Sequence, residues 1–296
     1  MHARSNLGLG ARAFVALQYL LPQHALSRLV LRATRSRRRR FKNFIIDRFV
    51  RSFKPDMSDA AEPDPLAYAS FNDFFTRALR ANARPLPAAA NELACPVDGT
   101  VSEAGVIQDG RLLQAKGQWY SLRDLLAGRE AWAQRFAGGD FVTIYLAPYN
   151  YHRIHMPWRG TLRSAWYVPG RLFSVNATTA AAVPGLFARN ERVVCAFEDS
   201  AVPWALVLVG ALNVGCMDTV WHGNVAPRRP RVVTTLPQQP LHSPALLARG
   251  AEMARFNMGS TVILLFPAGA AQIDKRIQAG TLVRMGERIG TLRQPS

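Results

Sequence analysis

Side chains suited to chemistry gather at three places. At Gly259-Ser260 a hydroxyl follows a glycine at the mouth of an apolar run, Thr261-Val-Ile-Leu-Leu-Phe266. Two imidazoles, His152 and His155, stand three apart in Tyr149-Asn-Tyr-His-Arg-Ile-His-Met-Pro157. A carboxylate, Asp98, lies in Pro96-Val-Asp-Gly99. Serine, histidine and aspartate are the residue types of nucleophilic catalysis, in which a base takes the hydroxyl proton and a carboxylate orients the base. Geometry defines such a set, and chain order does not. Each member also has a plainer reading. Gly-Ser before a strand makes a bulge or tight turn, and Pro-Val-Asp-Gly makes an Asx turn. Two histidines three apart suit a metal on a helix, but Pro148 and Pro157 predict loop or extended chain and no third Cys or His stands nearby. A histidine general base is therefore expected and a metal site is not. The residues alone do not choose between His152 and His155.

The elements that must position these groups are mostly strands. Short apolar runs at Phe141–Leu146, Val193–Phe197, Trp204–Val209 and Thr261–Phe266 alternate with turns. Six apolar or β-branched residues closed by Pro267 read as a strand covered on both faces. Ser70-Phe-Asn-Asp73 is a capping box predicting a helix through Arg80, with Phe71, Phe74, Phe75 and Leu79 on one face. Ser121-Leu-Arg-Asp124 predicts another, to about Phe136. The glycine-punctuated stretches Pro96–Val101 and Ile277–Leu292 resemble turns of a compact, biotinyl-type β-sandwich. The expected fold class is α+β: a β-rich body with biotinyl-like or barrel-sandwich elements, preceded by N-terminal amphipathic helices.

Composition is that of a globular chain, 49% hydrophobic and 19% charged, with a net charge of +17. That charge is uneven. Residues 1–54 hold thirteen Arg or Lys and one acid, Asp47. Such an arm meets phosphate on nucleic acid or on an anionic bilayer. Leucines and phenylalanines at helical spacing, flanking Arg35-Ser-Arg-Arg-Arg-Arg40, favour helices lying in a membrane interface over a solvated nucleic-acid arm. The alternative is an ordinary surface helix pair packed on the body. Ala13–Leu21 is too short to span a bilayer. A secretory signal is not expected, because Pro22 and His24 interrupt the apolar region. Cys95, Cys195 and Cys216 show no metal or disulfide spacing and read as buried apolar residues in a reducing compartment.

A Ser/His/Asp hydrolase is one conclusion, but its nucleophile elbow runs Gly-x-Ser-x-Gly between strand and helix. Here Gly-Ser-Thr leads into a strand. Taken together, several motifs in order resemble the bacterial, membrane-associated phosphatidylserine decarboxylases. They are Phe74-Phe-Thr-Arg77 with Arg84-Pro85, Pro96-Val-Asp-Gly99, Lys116-Gly-x-x-Tyr-Ser-Leu122 and Tyr151-His-Arg-Ile-His-Met-Pro157. Leu172-Phe-Ser-Val-Asn176, Leu186-Phe-Ala-Arg-Asn-Glu-Arg192, Thr219-Val-Trp221 and Met258-Gly-Ser-Thr261 complete the set. The family's usual Leu-Gly-Ser-Thr appears here as Met-Gly-Ser-Thr, a change that conserves volume.

The resemblance implies a division into membrane-associating helices (1–55), a linker and helix (56–90) and a pyruvoyl decarboxylase body (91–296). It implies that Ser260 attacks the Gly259 carbonyl and the chain splits between Gly259 and Ser260. The products are a large chain (1–259) and a small one (260–296) that stay together as a heterodimer, or as a higher oligomer of it. Ser260 becomes a covalent pyruvoyl group that forms a Schiff base with phosphatidylserine and gives phosphatidylethanolamine and CO2. The resemblance assigns His155, oriented by Asp98, as the base for cleavage; His152 is left for substrate contact or proton transfer. It places the protein peripherally on the cytoplasmic face of the cell membrane, with no nucleic-acid partner. The competing classes are a Ser/His/Asp lipid hydrolase and a non-enzymatic, basic membrane-binding adaptor.

Overall fold

The computed structural model describes residues 8–115, 117–200, 202–212, 216–225, 231–237, 246–258 and 260–293. Lys116 and Gly259, both within motifs noted above, lie outside these residues.

A β-rich body carries helices at its N-terminal side. Its main sheet holds nine strands among the described residues. At its centre the Thr261–Phe266 strand pairs antiparallel with Asp140–Tyr145 on one side and Val202–Val209 on the other. All six of its residues are buried, as a run apolar on both faces requires. Beyond Asp140–Tyr145 comes Gly99–Val106; beyond Val202–Val209 come Arg192–Asp199 and Gly160–Val168. A second sheet orders Gly223–Val225, Met217–Thr219, Glu252–Phe256 and Arg153–His155. A third, small sheet joins Glu92–Ala94, Arg288–Leu292 and Ala271–Ile273. These sheets are open among the described residues, and no barrel closes.

Two connections fix the location of the site. The chain leaves the main sheet after Tyr145 and enters the second at Arg153. It returns from Glu252–Phe256 through residues 257–260 into Thr261. Partner strands are thus joined to partner strands, so the two crossovers begin and end side by side. His152 lies on one and Ser260 on the other.

Four helices precede the body: α1 (Leu9–Leu20), α2 (Gln23–Thr34), α3 (Arg39–Phe53) and α4 (Phe71–Phe75). The break between α1 and α2 falls at Pro22. Sequence spacing extends α4 to Arg80, but the helix stops at Phe75. Ser70 Oγ caps its start by accepting from Asp73 N at 3.1 Å, while the Thr76 hydroxyl takes up the Asn72 carbonyl at 2.9 Å. Leu79 then bridges to Ala60 in extended chain. The helix expected over Ser121–Phe136 is likewise two pieces, Leu122–Leu125 and Glu130–Phe136. Ala127 and Gly128 separate them in left-handed conformation.

The first two helices dock by their polar faces. Gln18 and Gln23 are buried, and their side-chain carbonyls accept from Ser174 N at 2.7 Å and Leu172 N at 2.9 Å. Gln23 Nε2 donates to Gln18 O, and His24 Nε2 donates to Gly170 O at 3.0 Å. Leu20 and Leu29, by contrast, stand 82% and 65% exposed, as does Phe44 of α3 at 68%. An ordinary surface helix does the reverse. Phe49 of α3 packs edge-on against Phe71, Phe74 and Phe75 of α4, at 5.2 to 6.0 Å between ring centroids, and ties the arm to the site.

Candidate active site

Ser260 is completely buried. Its carbonyl accepts from Leu146 N at 2.8 Å, which pins it to the crossover carrying the histidines. Its Oγ has no hydrogen-bond partner among the described residues, and neither has the adjacent Thr261 Oγ1. A sealed, unbonded hydroxyl costs about 1–3 kcal/mol.

His152 is also completely buried. Its Nε2 donates to Ala147 O at 3.1 Å, one residue beyond the amide that holds Ser260. Its ring stacks on Phe75 at 4.0 Å, and its Nδ1 has no hydrogen-bond partner among the described residues. Burial, followed by the positive charge of Arg77, pushes its pKa down to about 3. At neutral pH it is an uncharged ring.

His155 closes the Arg153–His155 strand. Its Nδ1 donates to Gly250 O at 2.8 Å, which fixes the tautomer and leaves Nε2 as the basic atom. That Nε2 is 2.9 Å from the Tyr151 hydroxyl, so the phenol O–H donates to it. Burial lowers the His155 pKa, the Gly250 hydrogen bond opposes this, and Asp98 adds a smaller opposing effect.

Asp98 reaches the same neighbourhood through the backbone. His155 N donates to Pro96 O at 2.9 Å, so the Pro96–Gly99 turn lies against the histidine strand. Thr100 and Thr261 both pair with Tyr145, from opposite sides, so the ends of the Asp98 and Ser260 segments flank one strand. Gly99 permits this approach: a Cβ there would run into the Tyr145 carbonyl oxygen. The carboxylate itself is already engaged. Asp98 Oδ1 accepts from Met285 N at 2.7 Å, and Oδ2 accepts from Arg84 Nη2 at 3.1 Å. A direct Asp98–His155 hydrogen bond, expected of an orienting carboxylate, is not formed, because these donors and Gly250 O satisfy both groups separately.

The fold therefore gathers Ser260, His152, His155 and Asp98 around two crossovers, with Gly259 outside the described residues. Several contributors had no role assigned from sequence: Tyr151, Arg84, Phe75, Gly250 and Arg77. Arg77 and Arg84 belong to motifs quoted above, and Tyr151 immediately precedes His152. Those motifs were the available signal.

Comparison with known proteins identifies the family. The family model described as "Phosphatidylserine decarboxylase" matches residues 71–291, and a second, described as "PSD", matches residues 13–54. A protein of Bordetella bronchiseptica named "Phosphatidylserine decarboxylase proenzyme" is 53% identical over 275 residues, covering 93% of this chain and 92% of its own. One of the same name from Pseudomonas fluorescens is 50% identical over 279 residues, covering 94% and 97%. The chain belongs to the phosphatidylserine decarboxylase family. Among the described residues, no helix is long and apolar enough to cross a membrane.

Proposed function

We propose that this chain is a self-cleaving proenzyme that decarboxylates phosphatidylserine to phosphatidylethanolamine and CO2, with Ser260 as the source of a pyruvoyl group. One observation supports this most: Ser260 Oγ is sealed in the body without a partner among the described residues, in a chain whose relatives are named proenzymes. That hydroxyl is free to react.

In cleavage, Ser260 Oγ adds to the Gly259 carbonyl and the Gly259–Ser260 amide becomes an ester. Elimination across Cα–Cβ of residue 260 releases the Gly259 carboxylate and leaves dehydroalanine, which takes up water and loses ammonia. Glycine suits the position because no Cβ obstructs the attack. His155 is the base. Its lowered pKa keeps it neutral, and its tautomer makes Nε2 the proton acceptor, which the Ser260 hydroxyl reaches when the Tyr151 O–H turns aside. Asp98 acts at one remove, by holding the turn whose Pro96 carbonyl fixes the His155 backbone and by placing negative charge nearby. In this reading the turn and the small third sheet form the biotinyl-like element.

Once formed, the pyruvoyl ketone supplies an electron sink for the pair left when CO2 departs. The protein's part is orientation and dryness. His152, neutral and held flat by Phe75, faces the substrate carboxylate without forming an ion pair that would resist its loss. Apolar side chains of α2, α3 and α4, including Phe44, Ile45, Phe49, Phe53 and Phe71, line a cavity of about 320 Å³ with Met258 at its edge. This cavity suits an acyl chain led towards residue 260. The outward Leu20, Leu29 and Phe44 with the basic arm make the protein peripheral on an anionic membrane.

The test is decarboxylation of phosphatidylserine in mixed micelles before and after borohydride. A ketone enzyme is silenced by reduction. A Ser/His/Asp hydrolase survives it, is instead labelled at serine by a fluorophosphonate, and releases fatty acid.

A further inference from the structure

Three arginines surround the site, and two of them are paired. Arg84 lies against Asp59 and Asp98, and Arg153 bonds Glu252 at 2.7 Å. Arg77 differs. It is 96% buried, since 4% of its surface remains exposed. No carboxylate pairs with it among the described residues. Its Nη2 reaches only backbone carbonyls, Tyr149 at 3.2 Å and Asp56 and Asn150 at 3.5 Å. Nε and Nη1 donate to no described protein group. Its Cζ lies over the Phe74 ring, 6.0 Å from the centroid, so the guanidinium is held between a ring and backbone carbonyls with no anion beside it among the described residues. A buried cation without a counter-charge is costly, and the missing charge is supplied where an anion binds.

The position is informative. Arg77 follows α4, whose Phe75 stacks on His152, and two of its three Nη2 contacts, Tyr149 and Asn150, lie on the loop that leads to His152. It is close enough for its charge to depress the His152 pKa. The substrate carries two anionic groups, a carboxylate that is lost and a phosphodiester that is kept. A guanidinium on the carboxylate would stabilise the ground state more than a transition state in which that charge is draining away, and would slow the reaction. On the phosphodiester it holds substrate, transition state and product alike, and the forked donors of arginine match phosphate oxygens.

We propose that Arg77 binds the headgroup phosphodiester of the lipid, a reading that rests on the Ser260 pocket being the decarboxylation site. Arg77 is then a uniform binder, which anchors the headgroup so that the carboxylate meets only the neutral His152.

The experiment measures Arg77→Gln and Arg77→Lys with short-chain phosphatidylserine in detergent, and inhibition by short-chain phosphatidylethanolamine, the product. Completed chain cleavage shows that each variant has folded. Arg77→Gln is expected to raise KM and the product inhibition constant by the same factor, roughly 10- to 100-fold, with kcat within about 3-fold. Arg77→Lys falls between wild type and Gln. A raised KM with unchanged product inhibition would assign Arg77 to the carboxylate and overturn the proposal, as would a fall in kcat alone. Should the variants not cleave, wild-type enzyme decides: phosphatidylethanolamine should inhibit at least about 10-fold better than its neutral methyl phosphotriester, and equal inhibition overturns the proposal. Failure of the underlying reading looks different, because wild-type protein would then show no decarboxylation at all.

Discussion

Replacing Leu20, Leu29 and Phe44 together by Gln tests whether the outward apolar face of the arm is a membrane surface. The three are 82%, 65% and 68% exposed, so their removal takes little from the fold. Full burial of a Leu or Phe side chain is worth ~1.5–3 kcal/mol. With about two thirds of each side chain available, and allowing for incomplete penetration, the three contribute ~2–4 kcal/mol to partitioning. That is roughly a 30- to 1,000-fold loss of binding. Sedimentation with anionic vesicles at about 0.1 M and about 1 M salt measures it, with chain cleavage as the folding control. The apolar loss should persist in high salt. Replacing Arg37–Arg40 by Gln should instead weaken binding at low salt, by about 1 kcal/mol per charge near the surface, and matter little at high salt. Undiminished binding of the triple variant would mean that this face does not meet the membrane and would move the contact to the body.

The histidines separate by stage: His155→Ala and Asp98→Asn should block or slow chain cleavage, seen on a denaturing gel, while His152→Ala cleaves more nearly normally yet decarboxylates poorly. Cleavage intact in His155→Ala but lost in His152→Ala would exchange the two roles. Glu191 gives a stability test. Its buried carboxyl is raised to about 7, chiefly by burial, although it accepts a hydrogen bond from Tyr167 Oη at 2.9 Å. The folded state then keeps a proton that the unfolded chain releases above its ordinary 4.5, so stability falls as pH rises from about 4.5 to about 7. Glu191→Gln should match wild type below that window and exceed it above, by up to ~3 kcal/mol in denaturant melts.

The central strand was legible because six apolar residues closed by Pro267 admit little else, and the structure gives Thr261–Phe266. The mixed α and β architecture with helices first was legible for similar reasons. The arm's helices were legible, their orientation was not. Gln18 and Gln23 find their acceptors' partners at Ser174 and Leu172, about 150 residues away, and no local periodicity encodes that. Helix ends failed where side chains competed for backbone groups, as Thr76 does at α4. The candidate residues could be picked by type, but their hydrogen bonds could not. That Asp98 faces Arg84 and Met285 N, and that His155 is held by Gly250 and Tyr151, depends on strand pairings remote in sequence.

Intact mass of the purified, denatured protein addresses the central claim most directly. Two chains are expected, residues up to Gly259 ending in a free carboxylate and residues 260–296 lighter by one ammonia than the unmodified fragment. Borohydride should add two hydrogens to the small chain, and Ser260→Ala should remain whole. A single uncleaved chain from protein that is active on phosphatidylserine would contradict it.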